Sequence, residues 1–323
     1  MLRLRVPTQV WHSYVQVVLF EVCHNLSGFI MNLPRPALLP TFLRELTGTQ
    51  TLPREPEPDA IMVDEAQVAA FSETGRNEST LAASYLFHTA RACQAIQGCK
   101  RVVDLGCGPA NQLIQIAELN PEIDFIGIDM SQEMLRRARE HVASAGISNV
   151  SFETGDITQL TQFEDRSIDG VMSTVSLHHL PTLGHLERCF REISRVLKPG
   201  GAVYLADFGR LKSLKSVIFF AYMNQDRDPH QLLLDYERSL RAAFLLSDFE
   251  RLVSECLPES VKIYNTFKVP LLILLKTEDK SLPRAKVDAL NAMRKTLNPR
   301  FRHDLDDMRI FFKLGGLKND IFS

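Results

Sequence analysis

Between residues 101 and 207, short apolar runs alternate with stretches whose apolar residues recur at helical spacing. The apolar runs predict strands at residues 101–105, 125–129, 150–153, 168–173 and 202–206. The stretches between them predict helices at 112–119, from Ser131 to Gly146, and at 185–197. Strands that alternate with helices in this way indicate an α/β protein with a mostly parallel, Rossmann-like sheet and helices on both faces.

The pattern continues on both sides of this region. After residue 207 it predicts helices at 217–223, 232–244 and 245–256, strands at 261–264 and 271–275, and helices at 283–297 and 302–314. Before residue 101, a short helix at 38–46 lies between the proline-rich connectors 33–36 and 53–58. We divide the chain into a helical N-terminal extension (1–60), a helical lid (61–98), a core (99–279) with a substrate-capping helical insertion at about 209–244, and a helical C-terminal extension (280–323).

Composition excludes several classes of protein. The 323 residues are 45% hydrophobic and 24% charged, with a net charge of −2, so no basic surface for nucleic acid is expected. The apolar run at 15–20 is too short to span a bilayer, which argues against stable membrane insertion. The six cysteines are scattered without metal-ligand spacing, so we expect reduced thiols, a cytoplasmic location and no metal site.

A glycine turn follows the first predicted strand. Asp104 ends the strand, Gly106, Cys107 and Gly108 form the turn, and the next helix begins near Asn111. Glycines let a cofactor lie against the backbone, and amides at a helix N-terminus attract polar ligand groups. We interpret Cys107 as a small residue that fits this turn rather than as a nucleophile.

Acids at the ends of the next two strands favour a nucleoside ligand. Asp129 lies 21 residues after Gly108 (129 − 108), where a carboxylate can accept both ribose hydroxyls. Asp156 can accept from an adenine amino group, with Met130 and Ile157 as apolar walls. Because the later glycine of a dinucleotide fingerprint is missing, S-adenosylmethionine (SAM) fits better than NAD. The remaining predicted cofactor-binding residues are Gly155, Ser173, Val175 and Arg76.

Residues 102–111, Asp129, Gly155–Asp156 and the Leu-Lys-Pro-Gly-Gly segment 197–201 resemble the motif set of the class I SAM-dependent methyltransferases over roughly residues 80–275. The resemblance implies a seven-stranded sheet whose last strand is antiparallel. It also implies that Gly106 and Gly108 cradle the methionine part, that Asp129 holds the ribose and that Asp156 contacts the adenine. Ala110 stands where many members carry a third glycine.

Ser176-Leu177-His178-His179-Leu180 resembles the His-His-Leu segment of small-molecule methyltransferases, including quinone and natural-product enzymes. The Asn/Asp-Pro-Pro-aromatic segment typical of DNA amino-methylating enzymes is absent. His178, His179 and Asp207 are the candidate catalytic residues, since an imidazole can take a proton from the acceptor near neutral pH. Either histidine could instead cap a helix or contact the cofactor. The predicted substrate anchors are Tyr85, Tyr222, His230, Tyr236 and Arg241.

The sequence therefore predicts a SAM-dependent methyltransferase of biosynthesis that acts on an O, N, S or C nucleophile of a small molecule. Two alternatives stay open: an enzyme of this fold that uses SAM otherwise, for instance by cyclising its aminobutyryl chain, and a non-catalytic SAM-binding protein. An NAD-dependent oxidoreductase ranks last, and metal-assisted or arsenic methylation is disfavoured. The terminal extensions leave a homodimer open.

Overall fold

The structure, a computed structural model, describes residues 38–49, 51–57, 81–226 and 228–322. Outside these ranges lie most of the predicted N-terminal extension and residues 61–80 of the predicted lid, which include the predicted cofactor contact Arg76. Within them we find no helix with the length and apolar character that a bilayer span requires.

The described residues form ten α-helices and seven strands, which alternate through the core as the periodicity predicts. The strands are β1 (Arg101–Leu105), β2 (Asp124–Asp129), β3 (Val150–Thr154), β4 (Ile168–Thr174), β5 (Leu197–Phe208), β6 (Lys262–Asn265) and β7 (Leu272–Lys276). The helices are α1 (Leu39–Thr47), α2 (Ala82–Ile96), α3 (Asn111–Leu119), α4 (Gln132–Ala145), α5 (Leu183–Val196), α6 (Leu214–Tyr222), α7 (His230–Ala242), α8 (Leu246–Cys256), α9 (Arg284–Thr296) and α10 (Pro299–Leu314).

All seven strands join one sheet in the order β3-β2-β1-β4-β5-β7-β6. Strands β1 to β5 run parallel, and β7 pairs antiparallel with both β5 and β6. The order reverses between β1 and β4, and in open α/β sheets ligands bind in the crevice beyond the carboxyl ends of the strands at such a point. The predicted fold class and the antiparallel last strand are both confirmed.

Local signals fix the ends of several elements. Helix α4 begins where the Ser131 hydroxyl accepts a hydrogen bond from the Met134 amide, and it ends at Gly146 with a φ of 68°. Strand β5 begins earlier than predicted, at Leu197. Its pairing with β4 passes from Ile168–Leu197 directly to Gly170–Ala202, so residues 198–201 bulge out of the ladder, and Gly200 among them has a φ of 73°.

Each face of the sheet carries an apolar core. On one face α2, α3, α9 and α10 contribute Phe87, Leu113, Leu290 and Phe312. On the other face α5 and α8 contribute Phe190 and Phe249, among others. A smaller cluster, which includes Leu38, Val217, Phe220 and Leu240, joins α1 to the helical insertion.

Helices of the two terminal extensions contact each other, whereas α2, from the predicted lid, lies in the core. Phe42 of α1 stacks on Phe311 of α10 at 4.8 Å between ring centroids, so a C-terminal helix packs on the N-terminal segment. Helix α2 differs from the lid predicted over 61–98, because 13 of its 15 residues are buried in the core. Its buried polar residues, His88, Thr89, Arg91 and Gln94, each have a hydrogen-bond partner in the core, which makes this burial possible.

The buried histidine of α2 couples stability to pH. His88 Nδ1 lies 2.8 Å from the Tyr204 hydroxyl, and burial lowers the His88 pKa to about 4, opposed weakly by the Asp207 charge. The unfolded chain therefore takes up a proton near pH 6.5 that the folded chain refuses until about pH 4. The resulting stability is present above pH 6.5 and is lost as the pH falls.

We expect the His88→Gln variant, whose side chain does not titrate, to lack this loss. Between pH 7 and pH 5 the free energy of unfolding of the wild type should fall by about 2 kcal/mol more than that of the variant. Urea titrations of both proteins at the two pH values measure the difference. Parallel losses in the two proteins would show that His88 is protonated in the fold.

Candidate functional site

The glycine turn is anchored to the end of β2. The Gly106 and Cys107 amides both donate to the Ile128 carbonyl, at 2.8 and 3.0 Å. Gly106 has a φ of 69° and Gly108 a φ of 52°. A Cβ at Gly106 would lie 2.4 Å from the Ser176 hydroxyl oxygen, so only glycine fits there. At Gly108 no described atom lies within 4 Å of the Cβ position, and the backbone faces open space that a ligand can enter.

Asp129 is held beside this turn. One carboxylate oxygen accepts from the Gly108 amide at 2.9 Å and the other from the Ser131 amide at 2.8 Å. Burial raises the pKa of Asp129, although these amides oppose the rise. Each oxygen keeps a lone pair for a further donor, so the carboxylate can still accept two hydroxyls.

Asp104, which lies in β1 just before the turn, has a raised pKa. Asp104 is 3% exposed, and burial, followed by the Asp129 charge, raises its pKa to about 8. Burial and the same two acids raise the pKa of the Cys107 thiol, which therefore stays protonated. This agrees with Cys107 as a fitting residue. Tyr85, predicted to bind substrate, lies at the same turn, where its hydroxyl bonds to Asn111.

The segments after β3 and β4 complete the edge. Asp156 accepts a hydrogen bond from the Thr158 amide at 2.8 Å, which makes it a turn residue whatever else it binds. Met130 is 48% exposed, whereas Ile157 is buried. The Ser173 hydroxyl donates to the Leu105 carbonyl at 2.7 Å and so ties β4 to the end of β1. Val175 has a φ of 54°, a strained conformation for a β-branched residue at the end of a strand.

The candidate catalytic residues lie together beyond β4 and β5. His178 Nδ1 is 2.7 Å from one Asp207 oxygen, and the His178 amide donates to the other at 3.1 Å. Both side chains are buried, and His178 Nε2 has no hydrogen-bond partner among the described residues. The neighbouring His179 ring lies 4.1 Å from the His178 ring, and its charge influences Asp129. His178 thus contacts Asp207 of β5, and His179 lies near enough to Asp129 of β2 for its charge to affect the Asp129 pKa.

A segment far away in the sequence covers these histidines, and we call residues 53–57 the strap. The strap's Glu57 is 2.7 Å from His179 Nδ1, accepts from the Ser239 hydroxyl at 2.9 Å, and lies 3.9 Å from His178 Nε2. Burial would raise the pKa of Glu57, but the hydrogen bond and charge of His179, with smaller effects of His178 and Ser239, hold it at about 2. Burial likewise opposes protonation of His179, but Glu57 and Asp207 outweigh it and raise the His179 pKa.

Arg54 fixes the strap to the loop after β4. Its guanidinium donates to the carbonyls of His178 (2.9 Å), Leu180 (2.6 Å), Pro181 (2.6 Å) and Ala242 (2.6 Å). The same group stacks 3.9 Å above the Phe244 ring. Burial lowers the pKa of Arg54 to about 10, which leaves it charged at neutral pH. One planar cation therefore satisfies four carbonyls that ordinary turns would leave to water.

Sequence reasoning missed Arg54 and Glu57. The proline-punctuated stretch around them indicates a connector, and their partners lie more than a hundred positions away in the sequence, where no periodicity reaches. Proline spacing does favour an extended backbone, and charged residues within such a segment are the signal that could have suggested a strap.

The predicted substrate anchors are distributed unevenly. Tyr236 lies at the catalytic cluster, with its ring 5.3 Å from Phe208. The Tyr222 hydroxyl and the Arg241 guanidinium both bond to Glu237, which ties α6 to α7. His230 is exposed at the start of α7. Of the predicted anchors in the described part of the insertion, Tyr236 is the one that contacts Phe208, whose ring lies 5.4 Å from that of His178.

This sheet order, with a glycine turn after β1 and an acid at the end of β2, is that of a Rossmann-like α/β domain. A family model described as a methyltransferase domain matches residues 96–236. The match covers much of the region over which the sequence resembles the class I SAM-dependent methyltransferases.

Two curated relatives illustrate the similarity. The chain is 36% identical over 109 residues to 27-O-demethylrifamycin SV methyltransferase of Amycolatopsis mediterranei, which covers 33% of this chain and 38% of that protein. It is 36% identical over 113 residues to demethylmenaquinone methyltransferase of Listeria monocytogenes, which covers 35% and 46%. The chain therefore spans less than half the length of these relatives.

Among solved structures, a SAM-dependent methyltransferase from Methanococcus maripaludis, itself described as putative, superposes with a TM-score of 0.52 at 19% identity. The superposition covers 71% of this chain and 98% of that one. At this identity the likeness establishes the fold alone.

We expect Arg54→Ala to destabilise the protein by roughly 2–4 kcal/mol, since it leaves several carbonyls without a charged donor. Arg54→Lys should recover only part of this, because an ammonium cannot match the planar fork. Urea unfolding measures both. The control is Arg284→Ala, whose side chain is 88% exposed in a surface ion pair; a loss for Arg54→Ala no larger than for this control would contradict the role of the strap.

Proposed function

We propose that this protein is a methyltransferase that moves the methyl group of SAM to a proton-bearing oxygen or nitrogen of a small molecule. The observation that carries the proposal is that two groups of residues lie close together at one edge of the sheet. One is the glycine turn with Asp129 bonded to the Gly108 amide, and the other is the buried His178–Asp207 pair. The first suits a nucleoside cofactor and the second suits removal of a proton.

The residues of the turn fit SAM. The open backbone at Gly108 accommodates the methionine part, and the carboxylate of Asp129 accepts the ribose hydroxyls. Asp104 lies beneath the turn, and Met130 and Ile157 offer apolar contact for the base beside Asp156. SAM, when bound, supplies a methyl carbon that is already electrophilic because it is attached to a sulfonium. The protein then has to orient the acceptor and receive its proton.

The pair formed by His178 and Asp207 suits that proton transfer. A carboxylate 2.7 Å from Nδ1 favours the tautomer with hydrogen on Nδ1 and a lone pair on Nε2. His178 Nε2 is therefore the proposed proton acceptor. His179 has a raised pKa and pairs with Glu57, so we assign it a positioning role as a cation rather than that of a base.

The proposed acceptor is a small molecule with an apolar body. Phe208, whose ring lies 5.4 Å from that of His178, and Tyr236 next to it offer aromatic contact beside the base. The rifamycin and menaquinone precursors in the names of the two relatives are small molecules too, which supports this class. A cytoplasmic, biosynthetic role agrees with the free cysteines among the described residues. A homodimer stays a prediction that light scattering can test.

The direct test is incubation of the protein with methyl-labelled SAM and host metabolite extract, followed by mass spectrometry. We expect S-adenosylhomocysteine and a labelled small molecule in equal amounts. Methylthioadenosine in place of S-adenosylhomocysteine would establish a SAM-cyclising enzyme instead. Tight SAM binding without turnover on any extract would point to a non-catalytic binding protein.

Asp129→Asn should weaken SAM binding by about 10- to 100-fold, because a neutral amide replaces the charged acceptor of the ribose hydroxyls. Calorimetric titration with SAM measures the effect. Asp124→Asn, at the opposite end of the same strand and exposed, is the matched control and should bind as the wild type does. Equal affinities for the two variants would remove Asp129 from the cofactor site.

Asp207→Asn should lower the rate of label transfer by about 10²- to 10⁴-fold, because an amide no longer holds the His178 tautomer and the proton acceptor is lost. The affinity for SAM should stay unchanged. Single-turnover label transfer, read beside SAM calorimetry, separates these quantities. An undiminished transfer rate would mean that the acceptor needs no base, as for a thiolate.

A further inference from the structure

The cluster under the strap has a feature that proton transfer does not use. Glu57, His178 and His179 each present one atom able to ligate a metal, and these three atoms all lie within 4.8 Å of one another. His178 Nε2 is buried and points toward Glu57, which lies 3.9 Å away, too far for a hydrogen bond. A buried imidazole nitrogen without a partner among the described residues indicates an atom that some ligand would satisfy.

We propose that Glu57, His178 and His179 form a binding site for a divalent transition metal ion of the zinc class. Two imidazoles and one carboxylate with open positions are a donor set that zinc, iron and cobalt accept, whereas magnesium and calcium prefer oxygen ligands alone. The strap brings the carboxylate, and the loop after β4 brings the imidazoles.

The distances require only small side-chain movements. Ligand atoms around a tetrahedral zinc ion lie about 3.3 Å apart, since each bond is about 2.0–2.1 Å long. The 3.9 Å between Glu57 and His178 would shorten, and the 2.7 Å between Glu57 and His179 would lengthen. The proton shared by Glu57 and His179 leaves to solvent when the ion binds.

The outer contacts of the cluster match those of known metal sites. A metal-binding histidine usually donates its second ring N–H to a carboxylate, which orients the ring. Asp207 provides this contact to His178 Nδ1 at 2.7 Å, and the Ser239 hydroxyl supports Glu57 at 2.9 Å. Arg54 holds the backbone carbonyl of His178, so the loop and the strap keep their spacing.

The proposal has a consequence for the proposed methyl transfer but does not depend on it. An ion on His178 Nε2 occupies the lone pair that would receive the acceptor proton. Metal binding should therefore inhibit the transferase, and a chelator should restore it. Because metal affinity is measured directly, the two proposals can fail independently.

The test uses full-length, tag-free protein stripped with a chelator. Zn²⁺ is titrated in competition with a chromophoric chelator, and Co²⁺ is followed by its visible absorption. We expect one ion per chain and a cobalt spectrum typical of nitrogen and oxygen ligands. The thermal unfolding midpoint should rise with Zn²⁺, because the ion binds the folded state, and Mg²⁺ should bring no change.

Three variants test two of the ligands and the outer contact to the third. Glu57→Gln and His179→Ala should each weaken Zn²⁺ binding by at least 10-fold, and Asp207→Asn should weaken it by about 10- to 100-fold through the orientation of His178. The control is His185→Gln, which removes a nearby imidazole that bonds to Thr182 outside the cluster. Circular dichroism of each variant verifies that it has folded.

Absence of stoichiometric Zn²⁺ binding by the folded wild type would overturn the proposal. So would binding that Glu57→Gln and His179→Ala leave intact, or a cobalt spectrum with sulfur charge-transfer bands, since the ion would then sit on cysteines. In those cases Glu57 and His179 form an ion pair and nothing more.

Discussion

The Asp207 carboxylate is the contact on which the rest of the site depends. It is 2% exposed and accepts hydrogen bonds from the His178 amide and the Phe208 amide as well as bonding to the His178 ring. A buried carboxylate without such donors would be costly, so the loop after β4 has to take the path that delivers them. β5 holds Asp207 in place between β4 on one side and β7 on the other, where Asp207 is in register with Ile273.

That loop in turn needs support of its own. In the described part of the chain, its carbonyls at His178, Leu180 and Pro181 accept from no strand or long helix. Arg54 donates to them from the strap, so this guanidinium couples the loop after β4 to the N-terminal segment, beside the contacts of Glu57 with His179 and Ser239. The matched domain begins only at residue 96, and the strap therefore adds to that domain a group that the family model does not include.

Most of the sheet could be predicted because its signals are local. Apolar runs, the Ser131 cap and the Gly146 stop lie within a few residues of the elements that they define, and the glycine turn and strand-end acids follow from strand order. The position of α2 could not be predicted, because its apolar character suits a lid as well as a core. The strap could not be predicted either, since its contacts join positions with no shared pattern. The assignment of roles to His178 and His179 required the distances to Asp207 and Glu57.

The charges at this edge of the sheet bear on which ligands it prefers. Burial raises the pKa of Asp129 against the amides that it accepts from, whereas His179 holds the pKa of Glu57 at about 2 and has a raised pKa itself. Carboxylates in a partly desolvated crevice stabilise cations more than they would in water. SAM is a sulfonium, and the demethylated cofactor has lost that charge, so the same crevice should hold SAM more tightly than the product. A divalent ion under the strap would be attracted by the same carboxylates. Because the ion and the sulfonium are both cations, each would then weaken the binding of the other, even though they contact different residues.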